Sequence, residues 1–157
     1  MSLPPFQTLI DEHRDEVYRL ALSAVGPVDA DDCFQETLLA ALRAYPAIRD
    51  ASNLRGWLLT IAHRKAIDHH RARGRAPVPV GDGRDLDGGL APPPTIEDAE
   101  IWASVRDLPP KQSLAVAHRF VNDLAYRDIG RLMGCTEAAA RRSVHEGLKR
   151  LKKEYLK

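Results

Sequence analysis

The C-terminal part of the chain carries polar and basic side chains that a helix could present to a nucleic acid. Between positions 136 and 155, apolar residues recur at helical spacing, and the opposite side carries Glu137, Ala138, Arg141, Arg142, His145 and Lys149. Arginine can bond a guanine edge through two parallel hydrogen bonds, and lysine commonly contacts phosphates. We therefore expect base contacts near the start of this segment and backbone contacts farther along.

A second basic surface lies in the middle of the chain. Thr60, Arg64, Ile67 and Arg71 follow one another at helical spacing, with His63 beside them, so one helix would carry them as a stripe. Such a stripe suits a nucleic-acid backbone. The less favoured alternative is an amphipathic helix whose polar side faces water.

An acidic segment precedes that stripe. Asp32, Gln35 and Glu36 share one helix face with Leu39, and a face that mixes acids with apolar residues is a good docking surface for a basic partner helix. Acidic residues also stabilise the helix N-terminus near which they lie, so this interpretation stays open as well.

The elements that must position these residues are all predicted to be helices. Three are predicted before Gly74 and four after Ile96, and the segment between is rich in Gly and Pro, which interrupt helices and strands. The last two helices are separated by Gly134-Cys135, the outline of a helix-turn-helix. We predict an all-α fold with two small helical domains, 1–73 and 96–157, joined by a flexible acidic linker, 74–95.

Local signals add detail to this prediction. Asp29 is expected to cap the second helix, with Asp31 and Asp32 in its first turn, and 95–98 resembles a capping box. Leu42 is expected in the apolar stripe of the second helix and Leu148 in that of the last. Cys33 and Cys135 are expected to pack in the core rather than to sense redox state.

Composition excludes several classes of protein. The 157 residues are 44% hydrophobic and 29% charged, with two cysteines, which argues against disorder, membrane insertion and a disulfide framework. The net charge of +1 hides alternating blocks: 53–75 and 110–157 are basic, whereas 1–52 and 76–109 are acidic. Two basic surfaces and two acidic ones suggest different partners. We expect a cytoplasmic protein.

An enzyme is the least favoured class. His63, His69 and His70 have no recognised metal-ligand spacing, and no phosphate loop, nucleophile elbow or pair of catalytic carboxylates is visible. We expect no catalytic residue, no metal and no cofactor.

Four segments together resemble a known family. They are DADDCFQETLLAAL (29–42), NLRGWLLTIAHRKAIDHHR (53–71), LPPKQ (108–112) and LAYRDIGRLMGCTEAAARRSVH (124–145). In order and spacing they resemble the extracytoplasmic-function (ECF) sigma factors of bacterial RNA polymerase, in the sigma-70 family. The resemblance covers nearly the whole chain. It implies a sigma factor that binds core RNA polymerase and directs promoter-specific transcription initiation.

The resemblance also implies a role for each lobe. The first would be region 2, docking on the β′ clamp coiled coil through Asp32, Gln35, Glu36 and Leu39. It would recognise and melt the promoter −10 element, a step akin to base flipping. The residues implied there are Arg49, Asn53, Thr60, His63, Arg64 and Arg71. The second lobe would be region 4, meeting the β flap and reading the −35 element through Glu137, Ala138, Arg141, Arg142, His145 and Lys149.

Other partners and departures follow from the same resemblance. An anti-sigma factor is expected, as is association with the nucleoid when polymerase is bound. Arg64 stands where the family commonly has Asn, and 138–143 reads AAARRS where Gly-Thr-Val-Lys-Ser-Arg is frequent, so promoter preference cannot be borrowed from typical members. The alternative is a stand-alone helix-turn-helix regulator, which leaves the acidic helix and the Trp57 helix unexplained.

Overall fold

The computed structural model describes residues 3–75 and 96–155 of the chain. These residues form seven α-helices and one short 3₁₀ turn, with no strand among them, so the predicted all-α class is confirmed. In chain order the elements are α1 (Phe6–Val25), α2 (Ala30–Ala44), the 3₁₀ turn (Tyr45–Ala47), α3 (Leu54–Arg75), α4 (Ile96–Arg106), α5 (Pro110–Phe120), α6 (Tyr126–Met133) and α7 (Glu137–Tyr155).

Helix ends follow local signals, with one exception. Pro110 begins α5, where its missing N–H costs nothing, and the Thr136 hydroxyl accepts the backbone N–H of Ala139 at 3.0 Å at the start of α7. Asp29 precedes α2 as predicted, but its side chain makes no capping hydrogen bond because its backbone is helical (φ −100°, ψ −5°) rather than extended. Residues 76–95, with most of the predicted linker and the first residue of the predicted capping box, lie outside the described residues.

The first lobe is a bundle of α1, α2 and α3, each of which contacts the other two. Val17, Leu20 and Ala21 of α1 are buried and meet Cys33 and Phe34 of α2 and Leu58 of α3. Helices α1 and α2 are amphipathic, so burying these residues against one another removes most of their apolar surface from water. Aromatic contacts close one end, where Tyr45 packs against Phe6 at 5.2 Å and Trp57 at 6.0 Å between ring centroids.

The second lobe contains α4 to α7, and its last two helices form the predicted helix-turn-helix. Gly134 ends α6 in the left-handed conformation (φ +73°), and the backbone N–H of Cys135 donates to the carbonyl of Gly130 at 2.8 Å. A Cβ on Gly130 would lie 2.8 Å from the carbonyl oxygen of Cys135. Glycine at position 130 therefore allows the turn to fold back over α6.

The two lobes pack against each other through α1 and α3 on one side and α4, α5 and α6 on the other. One apolar core continues across this contact, including Leu59 and Ala66 of α3 together with Leu114 and Ala117 of α5. Helix α3 is therefore covered on a second side. Helical spacing predicts an apolar stripe on α3 that contains Leu54, Trp57, Leu58, Ile61 and Ala62. Leu59, which is 1% exposed, lies outside it.

Three predictions of burial were wrong. Leu42 is 52% exposed, because packing on α2 follows Cys33, Thr37 and Ala41 on the other side of the helix. Leu148 is 38% exposed, whereas the neighbouring Gly147 faces α5, where an added Cβ would lie 3.0 Å from Val116. Cys33 is buried as predicted, whereas Cys135 lies exposed in the turn between α6 and α7.

Candidate nucleic-acid and partner interfaces

One exposed strip of α2 carries all four predicted polymerase-docking residues. Asp32, Gln35, Glu36 and Leu39 lie at i, i+3, i+4 and i+7, and all of them face solvent. Leu39 is 51% exposed and Leu42, one turn farther, is 52% exposed. The strip thus combines carboxylates with two large apolar side chains that the lobe itself leaves uncovered.

A histidine of α3 contacts this strip. Nε2 of His69 lies 3.1 Å from Oε2 of Glu36, and the glutamate side chain remains half exposed. Since α3 carries the predicted DNA-binding stripe, this contact joins the two predicted surfaces of the first lobe.

The six residues predicted for the −10 side do not share one environment. Arg49, Asn53, Arg64 and Arg71 are exposed, Thr60 is half-buried and His63 is buried. Two of the six make local bonds. Oδ1 of Asn53 accepts the backbone N–H of Gly56 at 2.9 Å and caps α3, and the Thr60 hydroxyl donates to the carbonyl of Gly56 at 2.7 Å.

His63 lies in the contact between the lobes. Its Nδ1 is 2.8 Å from Nε2 of His118 on α5, and the two rings are 4.9 Å apart. Burial, aided by the positive charge of Arg64, lowers the pKa of His63 to about 4. The pKa of His118, lowered to about 3, falls chiefly because that side chain is fully buried and secondly because His63 is near. In this arrangement of the lobes His63 has no access to DNA.

A second polar contact between the lobes involves a residue that the sequence did not single out. Nε of Arg55 donates to Oε1 of Glu16 at 2.9 Å, and Nη2 of Arg55 donates to the carbonyl of Asn122 in the second lobe. Beside this contact lies a cleft of about 260 Å³, where Asn53 and Thr60 face Asp128 and other residues of α6. Only this long-range pairing could reveal Arg55, because a single Arg in an amphipathic helix carries no signal of its partner.

The predicted base-reading residues all lie on the open side of α7. Glu137, Ala138, Arg141, Arg142, His145 and Lys149 are exposed, whereas Ala140 and Val144 of the same helix are fully buried. Nη2 of Arg141 pairs with Oε1 of Glu137 at 3.3 Å. Tyr126 at the start of α6 also touches this surface. The contact of Tyr126 with this surface was not predicted from the sequence. The available clue was its position in the first helix of a helix-turn-helix, which packs against the second.

Residues 3–75 and 96–155 show neither a metal-binding group nor a membrane-spanning helix. No group of three or more His, Cys, Asp or Glu side chains in those ranges is arranged to hold a metal ion. None of the helices described there has both the length and the apolar character that a membrane span needs.

Two family models match the chain in the order of its lobes. The model of sigma-70 region 2 matches residues 9–76, and a model of sigma-70 region 4 matches residues 98–151. The first match contains the α2 strip and α3, and the second contains the helix-turn-helix.

Curated relatives are similar over most of the chain. It is 30% identical over 164 aligned residues to the ECF RNA polymerase sigma factor SigE of Mycolicibacterium smegmatis, covering 99% of this chain and 63% of SigE. It is also 30% identical to the ECF factor SigF of Caulobacter vibrioides, covering 88% of this chain and 77% of SigF. The chain therefore spans less than two thirds of one relative and about three quarters of the other.

Solved structures share the fold. The sigma factor RpoE in complex with the anti-sigma factor NepR from Bartonella quintana matches with a TM-score of 0.71 at 20% identity, covering 94% of both chains. CnrH in complex with the cytosolic domain of CnrY matches with a TM-score of 0.73 at 18% identity, covering 96% of this chain and 86% of CnrH.

Proposed function

Because the chain belongs to the ECF sigma factors of the sigma-70 family, a family of initiation factors rather than enzymes, we propose that it binds core RNA polymerase and directs transcription from specific promoters. Residues 1–73 act as region 2, residues 74–95 as the linker and residues 96–157 as region 4. The protein works in the cytoplasm and joins the nucleoid when polymerase is bound.

The exposed strip of α2 carries the proposal. Asp32, Gln35 and Glu36 offer hydrogen-bond acceptors and negative charge to a basic coiled coil, and Leu39 offers an apolar anchor. An acidic helix N-terminus alone would account for the carboxylates but not for a leucine left half exposed one turn later. The β′ clamp coiled coil is the partner we propose for this strip.

DNA contacts are divided between the lobes. The first lobe holds the melted −10 element through Arg49, Asn53, Arg64 and Arg71, with Thr60 and His63 beside them. The second lobe reads the −35 element through the exposed α7 residues from Glu137 to Lys149. His63 can reach DNA only after the lobes separate, because His118 covers it. We therefore place lobe separation on the path from free protein to promoter complex, with region 4 then free to meet the β flap.

An anti-sigma factor is the remaining partner that we propose. Two solved structures of the same fold are complexes with NepR and with the cytosolic domain of CnrY. An inhibitor of this kind would cover the α2 strip, where the two exposed leucines Leu39 and Leu42 leave apolar surface open.

Co-elution with core RNA polymerase tests the proposal. The wild-type chain should co-elute, and both Leu39→Asp and the double variant Gln35→Ala/Glu36→Ala should weaken binding at least tenfold. Ala44→Asp is the matched control, since it adds the same carboxylate to α2 about 140° around the helix from Leu39. Binding lost equally in the control would point to a damaged helix instead of a docking face.

Failure of the folded wild-type chain to bind polymerase would overturn the proposal. A stand-alone helix-turn-helix regulator would in that case bind a specific DNA site without polymerase. A sigma factor binds promoter DNA weakly until it joins the core enzyme, so DNA binding with and without polymerase separates the two functions.

A further inference from the structure

The ring of Tyr126 is the centre of a cluster that joins three helices of the second lobe. The Cζ atoms of Arg119 on α5 and Arg141 on α7 lie 4.9 and 5.0 Å from its centroid. The ring of His145, also on α7, meets it edge-on at 6.2 Å with an interplanar angle of 89°. Arg141 and His145 are two of the residues that we propose read the −35 element.

Each guanidinium of this cluster has a second fixed partner. Nη1 of Arg119 donates to the carbonyl of Leu124 at 2.9 Å, and Nη2 of Arg141 pairs with Glu137 at 3.3 Å. Cations are attracted to the face of an aromatic ring. The long side chain of Arg141 is thus held by Tyr126 and Glu137 while remaining 49% exposed.

Core packing accounts for only part of the Tyr126 ring, which lies half-buried against the apolar core. The helix-turn-helix is already closed by Ile129, Ala140 and Val144, each fully buried, whereas Tyr126 is only half-buried. Its contacts with α7 go to side chains that face solvent. Besides packing against the core, the ring therefore contacts exposed side chains of α7.

We propose that Tyr126 is a positioning residue for Arg141: its ring holds the guanidinium in the orientation that reaches a base edge, so it sets base discrimination rather than overall affinity for DNA. The inference rests on the proposed function of α7. A bidentate contact with guanine needs one particular orientation of the guanidinium, and restricting the arginine to it beforehand lowers the entropy lost in making that one contact, which the wrong base pair does not offer.

Holoenzyme assembled from the full chain and core polymerase tests this inference. Affinity is measured for a promoter and for versions in which each −35 base pair is substituted in turn. Comparing the Arg141→Ala variant with the wild type identifies the base pair that Arg141 reads. At that base pair the variant should lose discrimination roughly five- to a hundredfold. At that base pair Tyr126→Leu should lower discrimination about two- to fivefold, and Tyr126→Phe should restore it, because the ring face is retained.

Two variant backgrounds separate positioning from a general structural effect. In the Arg141→Ala background Tyr126→Leu should change discrimination no further, because its effect passes through Arg141. In the Arg142→Ala background it should keep its full effect, since Arg142 is the neighbouring exposed arginine on α7. Equal losses at every −35 base pair, or a lowered urea midpoint that Tyr126→Phe fails to restore, would overturn the inference.

Failure of the inference differs from failure of the proposed function. A wild-type holoenzyme that forms but shows no preference among −35 sequences would overturn both. If the wild-type holoenzyme discriminates among −35 sequences and the Tyr126→Leu holoenzyme discriminates equally well, only the positioning role is overturned.

Discussion

His63 and His118 face each other across the contact between the lobes, with 2.8 Å between Nδ1 of the first and Nε2 of the second. At that distance one nitrogen donates and the other accepts, so a single proton lies between them. Burial lowers the pKa of both histidines well below 7, so both rings are neutral at neutral pH. The residues are 4% and 0% exposed. Protonation of both rings would place two positive charges in an apolar interface.

Acid should therefore weaken the folded, closed protein. The pKa values of His63 and His118 are lowered from 6.5 to about 4 and about 3, chiefly by burial, so between pH 6.5 and 4 the unfolded chain binds more protons. The contribution of the two neutral histidines to the free energy of unfolding is present in full above pH 6.5 and is lost as the pH falls toward 4. Urea unfolding at pH 7.5 and 5.5 should give free energies that differ by roughly 1 to 3 kcal/mol from this pair.

The double variant His63→Leu/His118→Leu isolates the contribution of the pair. Its stability should change less between the two pH values than that of the wild type, whereas His145→Leu, at an exposed histidine, should leave the wild-type change intact. Other charges near the pair are Arg64 on α3, which lowers the pKa of His63, and the Arg55–Glu16 ion pair, which contacts Asn122. An unaltered pH dependence in the double variant would show that the pair does not carry the effect.

The two cysteines should differ in reactivity. Burial first, and then the carboxylates of Glu36 and Asp29, raise the pKa of Cys33 to about 12, so its thiolate is absent at pH 8, whereas Cys135 is exposed. Ellman's reagent should modify one thiol quickly in the folded protein and the second only in denaturant. Cys135→Ser should remove the fast phase and Cys33→Ala should keep it. Two fast thiols in the native wild type would contradict the burial of Cys33.

Asn53 should contribute to stability apart from any contact with DNA. Because its side chain caps α3 at the backbone N–H of Gly56, Asn53→Ala should cost about 1 kcal/mol in urea unfolding, and Asn53→Ser should cost much less. Asn53→Ser is therefore the variant for testing a −10 contact, since a loss of promoter melting in it cannot be assigned to a lost cap. Equal stability of the Ala and Ser variants would argue against capping.

Gly130 should tolerate no side chain. Alanine normally stabilises a helix relative to glycine, but a Cβ at position 130 would lie 2.8 Å from the backbone oxygen of Cys135. We expect Gly130→Ala to cost roughly 1 to 3 kcal/mol in urea unfolding and to weaken −35 recognition by displacing α7. Gly134→Ala is the comparison, because an added Cβ there meets no atom within 4 Å and only the left-handed φ of +73° is strained. A Gly130→Ala variant as stable as wild type would mean that the turn can move aside.

Much of the fold could be predicted from local signals in the sequence. Apolar residues at helical spacing predicted the first three helices and the last four, and Gly134 ends α6 as expected. The exposed strip of α2 and the open side of α7 were also predictable, because residues three and four apart in a helix share a face whatever surrounds it.

Only the tertiary structure decided which faces are covered. Spacing placed His63 beside a basic stripe, but α5 lies against it and buries it with His118, 55 residues farther along the chain. Leu59 is buried and Leu42 is exposed for the same reason, since one of these positions meets a neighbouring helix and the other does not. The periodicity of a single helix specifies its faces, whereas the contact that removes a face from water forms between segments distant in sequence.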